Sequence, residues 1–158
     1  MLNVIAFDAA RRCTGYAYKN QAGGWVTGTF NIFEHDKIIR VIKEACMDGV
    51  THAAIEDCYL KNSVSTLKAL QDAQSRIAQR CEDAGLLWTP IKAITWQSAY
   101  GISARNGDTK IQAAKMVRLM GAGPYKTTDE NDAVLLADYA MNNAALLEWH
   151  GKGGRAAK

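Results

Sequence analysis

The sequence predicts an α/β domain built on a five-stranded mixed sheet with helices on both faces. The first quarter of the chain holds three short runs rich in aromatic and β-branched residues, parted by turn-like segments. The remainder alternates short apolar runs with longer segments of helical spacing. The 158 residues are 48% hydrophobic and 22% charged, a balance that suits one domain with a sizeable core. Consecutive strands joined by short turns make an antiparallel meander. A strand–helix–strand–helix–strand run favours parallel, right-handed crossovers.

The elements follow in order. Residues 2–8 read as a strand with apolar Val4, Ile5 and Phe7. Residues 13–19 and 25–32 read as two more, linked by a hairpin connection over 20–24 that contains Gly23 and Gly24. Ile38, Val41, Ile42 and Ala45 recur at helical spacing across 34–47, and Gly49 closes that helix. Residues 52–56 form a short apolar run ending in an acid, as a buried strand does. Asn62 or Ser63 caps a long helix to about residue 84, carrying Val64, Leu67, Leu70, Ile77 and Cys81 on one side and ending at Gly85. Residues 86–91 make the fifth strand, and 95–100 a short helix. Asp108 or Thr109 caps a helix to Met120. Thr127 or Thr128 caps the last one, which is predicted to run to about Leu147. There is no internal repeat and no interdomain linker.

Composition excludes several classes. No apolar run approaches the roughly 18 residues of a membrane span. The opening residues have neither a basic stretch nor a long apolar one, so no signal peptide is expected and a cytoplasmic location is. Cys13, Cys46, Cys58 and Cys81 are widely separated, with no CxxC, which predicts reduced thiols and no structural zinc. A formal charge of +3 permits nucleic-acid binding without requiring it. Lys152, Arg155 and Lys158 make the end of the chain basic. It is expected to be a flexible tail over 151–158, either simply solvated or seeking phosphate. There is no Walker-type glycine loop to suggest an ATPase.

The acids occupy special places. Asp8 ends the first strand and Glu56 the fourth. Asp129 and Asp132 stand three apart in the first turn of the last helix and so share a face. In such a sheet the first and fourth strands can be neighbours, with the helix start laid across their ends. Singly, each acid suits a solvated turn or a helix dipole. Jointly, four converging carboxylates repel unless cations sit among them, and hard oxygen ligands suit Mg²⁺ or Mn²⁺. Two such ions are the usual apparatus of phosphodiester hydrolysis. Asp57 is expected to point to the opposite face of its strand, and Glu130 to be a spare acid near the site.

These residues resemble the RuvC family of Holliday junction resolvases, within the RNase H-like superfamily, from about Asn3 to Ala145. Ile5-Ala6-Phe7-Asp8 followed by Thr14-Gly15 is similar to the family's opening motif, Ala54-Ile55-Glu56 to its second, and Asp129-Glu130-Asn131-Asp132-Ala133 to its closing D-x-x-D-A. The resemblance implies a nuclease domain over 1–150 and a homodimer formed through the long helix. It implies symmetric nicking of four-way DNA junctions in recombination and repair, with two Mg²⁺ or Mn²⁺ ions per site and no small-molecule cofactor. Asp8, Glu56, Asp129 and Asp132 become the metal ligands. Lys110, leading its helix, becomes the group beside the scissile phosphate. Tyr59 becomes an aromatic wedge at the junction, with Lys61 on the DNA. Arg11 and Arg12, which follow Asp8-Ala9-Ala10, read either as phosphate contacts or as exposed turn residues. A bacterial or phage-infected cytoplasm is the implied setting.

The departures are equally specific. The family's Asp-Pro-Gly opening is Asp8-Ala9-Ala10 here. The place of a second family lysine falls to Lys92 or, in a stretch similar to the phage-type branch, to Trp96. Substrate strictness is therefore open. A nuclease for flap or RNA–DNA hybrid substrates uses the same fold and acids, and separates from a resolvase by its substrate. A junction-binding protein without catalysis has no physical need for four clustered carboxylates.

Overall fold

The computed structural model describes residues 2–58, 63–123 and 125–151. Five strands form one sheet: β1 (Val4–Asp8), β2 (Thr14–Lys19), β3 (Trp25–Phe30), β4 (His52–Asp57) and β5 (Leu87–Lys92). Their order is β3-β2-β1-β4-β5. The first three strands pair antiparallel, and β1 with β4 and β4 with β5 pair parallel. This is the predicted mixed sheet, with β1 at its centre. Pro90, which cannot donate to a ladder, lies in the edge strand β5.

Strand parity divides the core in two. Ile5 and Phe7 of β1, with Ala53 and Ile55 of β4, face one side. There α1 (His35–Met47) and α2 (Val64–Asp83) supply Ile38, Val41, Ile42, Ala73, Ile77 and Cys81. Val4 and Ala6, with Ala54 and Ile91, face the other side. That side is covered by α3 (Ala93–Ala99), α4 (Thr109–Leu119) and α5 (Thr128–Asn142). Ile5, Phe7, Ile55 and Leu135 are all fully buried. Each such side chain contributes about 1.5–3 kcal/mol of transfer free energy.

The helix α5 packs against β1, β2 and β3 and against α4. Every residue from Glu130 to Ala137 is buried. A helix enclosed on all sides needs no polar face, which is why its sequence shows a run of apolar residues rather than a stripe.

Several boundaries differ from expectation. The last helix stops at Asn142 rather than about Leu147: the Asn143 side chain donates to the Tyr139 carbonyl at 2.9 Å, and a short 3₁₀ turn follows over Ala144–Leu146. The chain then folds back, so that Trp149 meets the His52 ring edge-on at 4.5 Å and His150 pairs with Trp88. The short helix α3 begins at Ala93, directly after β5, and not at residue 95. A further 3₁₀ turn spans Ala104–Asn106, where the sequence pattern indicates no element. Ser63 caps α2, accepting from Thr66 N at 3.2 Å, and Asp108 caps α4. The other proposed cap, Asn62, lies outside the described residues, as does the basic tail beyond Gly151. No helix among the described residues is long and apolar enough to cross a membrane.

Candidate active site

The same parity that sorts the core sets the acids. Asp8 follows Val4 and Ala6 on the α5 side, and Glu56 follows Ala54. Phe7 pairs with Ile55 in the parallel β1–β4 ladder, so Asp8 and Glu56 come one residue later on adjacent strands. Asp57 takes the opposite parity, as expected. With Cys58 and Gln74 it lines an open groove against α2.

The N-terminus of α5 is fixed over these strand ends by a capping box. Thr127 Oγ1 accepts from Glu130 N at 3.2 Å, and Thr127 N donates to Glu130 Oε2 at 2.9 Å. Thr27 on β3 donates its hydroxyl to Glu130 Oε1 at 3.0 Å. Glu130 is therefore not a spare acid of the site: its carboxylate is buried and committed to holding α5 on the sheet. The T-x-x-E pattern of residues 127–130 carried that signal in the sequence.

The Thr14–Gly15 pair has two separate tasks. Thr14 is fully buried. Its hydroxyl donates to Ala10 O at 2.7 Å and accepts from Ala10 N at 3.1 Å, which closes the loop after Asp8. Gly15 lets α5 come down on β2, since a Cβ there would lie 2.2 Å from the carbonyl oxygen of Asp129. Asp129 is partly exposed beside Cys13, whose thiol pKa is pushed up by burial and by the Asp129 carboxylate.

Lys110 joins the acids from α4. It lies three and seven residues before the buried Ala113 and Val117, on the helix face turned toward α5. Its ammonium pairs with Asp132 and stands 3.9 Å from Asp8 Oδ2. Burial opposes the Lys110 charge, but Asp132 and Asp8 outweigh it and raise the pKa. The carboxylates shift upward too. Burial, then Glu56 and Asp132, hold Asp8 well above the usual range. Burial and the Asp132 charge push Glu56 to about 7, against the opposing effects of Trp96 and Lys110. Asp132 is raised chiefly by burial, with Lys110 opposing.

Trp96 of α3 is fully buried, and its indole N–H donates to Glu56 Oε2 at 3.1 Å. Lys92 is exposed at the start of α3. Arg11 and Arg12 are both exposed on the loop after Asp8. The Arg11 guanidinium lies 5.6 Å from the Phe33 ring centre, and Arg76 of α2 approaches the same ring at 5.6 Å. Tyr59 and Lys61 lie outside the described residues.

Among the described residues, no three acidic, histidine or cysteine side chains stand together as a ready-made set of metal ligands. Lys110 instead pairs with Asp132 and approaches Asp8. The donor chemistry nevertheless fits a hard cation. Asp8 and Asp132 are buried and Glu56 is half-buried, with one ammonium paired to Asp132 and near Asp8; burial, with the neighbouring carboxylates adding to it, raises the pKa of all three, as a site that takes up a hard cation would require.

Solved structures share this architecture. Thermus thermophilus RuvC in complex with Holliday junction substrate matches with a TM-score of 0.71 at 10% identity, covering 95% of this chain and 100% of the other. The chain has the RuvC-type RNase H-like fold. A second Thermus thermophilus RuvC structure matches with a TM-score of 0.71 at 14% identity, over 94% of this chain and 100% of the other. The yeast mitochondrial Holliday junction resolvase Ydc2 matches with a TM-score of 0.57 at 12% identity, over 91% and 79%. No protein-family model and no curated protein matches the sequence. At these identities the RuvC likeness is one of fold.

Proposed function

We propose that this chain is a Holliday junction resolvase, a metal-dependent endonuclease that nicks four-way DNA junctions symmetrically as a homodimer. One observation carries the proposal: on a RuvC-type sheet, Asp8, Glu56 and Asp132 are drawn to one end with Lys110 among them. Asp129 completes the set from the same helix turn as Asp132. Asp8, Glu56, Asp129 and Asp132 would hold two Mg²⁺ or Mn²⁺ ions. Such ions, when bound, activate water and stabilise the leaving oxygen in phosphodiester cleavage.

The chain's own groups have separable tasks. The buried carboxylates of Asp8 and Asp132 would bind cations. Lys110 is the cation in contact with them, and so the side chain to meet charge developing on a scissile phosphate. Arg11 and Arg12, exposed just beyond Asp8, would engage flanking phosphates, with Lys61. Tyr59 would stack on a base at the junction centre. The start of α2 supports a dimer seam: Val64 is 60% exposed, whereas Ala73, Ile77 and Cys81 further along are buried against the sheet. A two-fold dimer suits a substrate in which two strands must be cut symmetrically.

The test is a substrate panel of a four-way junction, a Y-fork and an RNA–DNA hybrid duplex, each with Mg²⁺ and Mn²⁺. Wild type is expected to place paired nicks in the junction. Asp8→Asn is expected to bind the junction and leave it intact. A preference for the hybrid would overturn the resolvase reading, and an active Asp8→Asn protein would overturn the site.

A further inference from the structure

We propose that Trp96 is the positioning residue for Glu56, a neutral donor that orients the carboxylate toward a cation without cancelling its charge. The inference rests on the reading of Glu56 as a metal ligand.

A buried indole N–H requires an acceptor, and here the acceptor is Glu56 Oε2 at 3.1 Å. The donor is rigidly held. Trp96 is fully buried in the core layer that contains Ile91, Ala113 and Val117. Its helix α3 leaves β5 without an intervening loop, and Ile91 of β5 pairs with Glu56 itself in the β4–β5 ladder. The acceptor is thus carried by β4, and the donor by the helix that directly continues its neighbour β5, with little slack between them. One carboxylate oxygen is fixed, and the other is left for a cation.

The chemistry of the donor matters. A hydrogen bond from an uncharged N–H favours the ionised carboxylate. A cationic side chain in its place would do the same, but would also offset one more negative charge and repel an incoming metal. With tryptophan, the carboxylates of Asp8, Glu56 and Asp132 face Lys110 as their partner cation, so the site retains its demand for positive charge. Partners of ligating side chains typically contribute about 10–100-fold to metal affinity.

The experiment measures Mn²⁺ binding to the DNA-free protein by calorimetry and by Mn²⁺ paramagnetic resonance, with thermal unfolding alongside. Trp96→Phe removes the N–H and part of the ring. A benzothienylalanine at position 96 keeps the two-ring shape with sulfur in place of N–H, which separates loss of the donor from loss of packing. Glu56→Gln tests the ligand itself. The expected result is a loss of Mn²⁺ affinity of at least tenfold in both position-96 variants, with near-wild-type melting for the benzothienyl protein. Trp96→Phe is expected to have no further effect on Mn²⁺ binding in the Glu56→Gln background. Wild-type Mn²⁺ affinity in the benzothienyl protein, with binding weakened by Glu56→Gln, would overturn the role of Trp96 and leave the metal site standing. Unchanged Mn²⁺ binding in Glu56→Gln would instead overturn Glu56 as a ligand.

Discussion

Replacing Gly15 with alanine adds one methyl group at the point where β2 meets the first turn of α5. The new Cβ would lie 2.2 Å from the Asp129 carbonyl oxygen, 2.4 Å from its carbonyl carbon and 2.8 Å from its Cβ, where 3.0 Å is the practical limit. The two closest of these atoms are backbone, so no side-chain rotation relieves the clash. Either α5 lifts or β2 sags, by nearly 1 Å along the shortest approach. Overpacking of this kind costs about 1–3 kcal/mol. For a domain of this size that corresponds to a fall in Tm of roughly 2–12 °C. Asp129 and Asp132 ride on the displaced turn, and a misplacement of about 1 Å can cost roughly 100-fold in rate. The assays are thermal unfolding and junction cleavage at saturating Mg²⁺. Gly49→Ala is the control: its φ of +86° strains alanine and no atom lies within 4 Å. It should lose about 1 kcal/mol or more of stability with cleavage unchanged. A Gly15→Ala protein with wild-type Tm and wild-type cleavage would refute the seating of α5 on β2.

Two further outcomes are expected. Glu130→Ala removes the acceptor of Thr127 N, Thr127 Oγ1 and Thr27 Oγ1. It should cost about 2–4 kcal/mol in denaturant unfolding, since hydrogen bonds to a charged group are each worth about 1.5–3 kcal/mol and are only partly replaced by water. An unchanged midpoint would show that the cap does not hold the helix. The metal-free protein should also lose stability as pH rises from 5 to 8. The folded pKa of Glu56, about 7, exceeds its ordinary 4.5, so its contribution is full below 4.5 and is lost as pH climbs through 7. The upper bound is about 3 kcal/mol at 1.36 kcal/mol per unit. Glu56→Gln should flatten the profile of melting temperature against pH, and a profile equally steep in that variant would refute the assignment.

Much of the architecture was legible because strand and helix periodicities are local. Alternation along residues 4–8 and 53–57 put Asp8 and Glu56 on one face and Asp57 on the other, as the structure bears out. The spacing of Asp129 and Asp132 put both in one helical turn. Boundaries were less legible. The stop at Asn142 depends on a side-chain bond to Tyr139 O and on Trp149 and His150 docking against β4 and β5, partners that lie far apart in the chain.

The sequence by itself determined the strand set, the faces of the acids and the caps to within one residue, at Asn62 or Ser63, Asp108 or Thr109 and Thr127 or Thr128, because each depends on neighbours within a few residues; the fold has Ser63, Asp108 and Thr127 in the role. Only the tertiary structure decided the partnerships across the site. Thr27 and Glu130 are 103 residues apart, Glu56 and Trp96 are 40 apart, and Lys110 reaches Asp132 from a separate helix. Such pairings are set by how α3, α4 and α5 lie against the sheet, a matter of packing that no local period encodes. That is why the Thr127–Glu130 capping box is legible in the sequence while the bond from Thr27 to Glu130 is not, and why only packing shows that Trp96 is turned into the core and Lys92 outward.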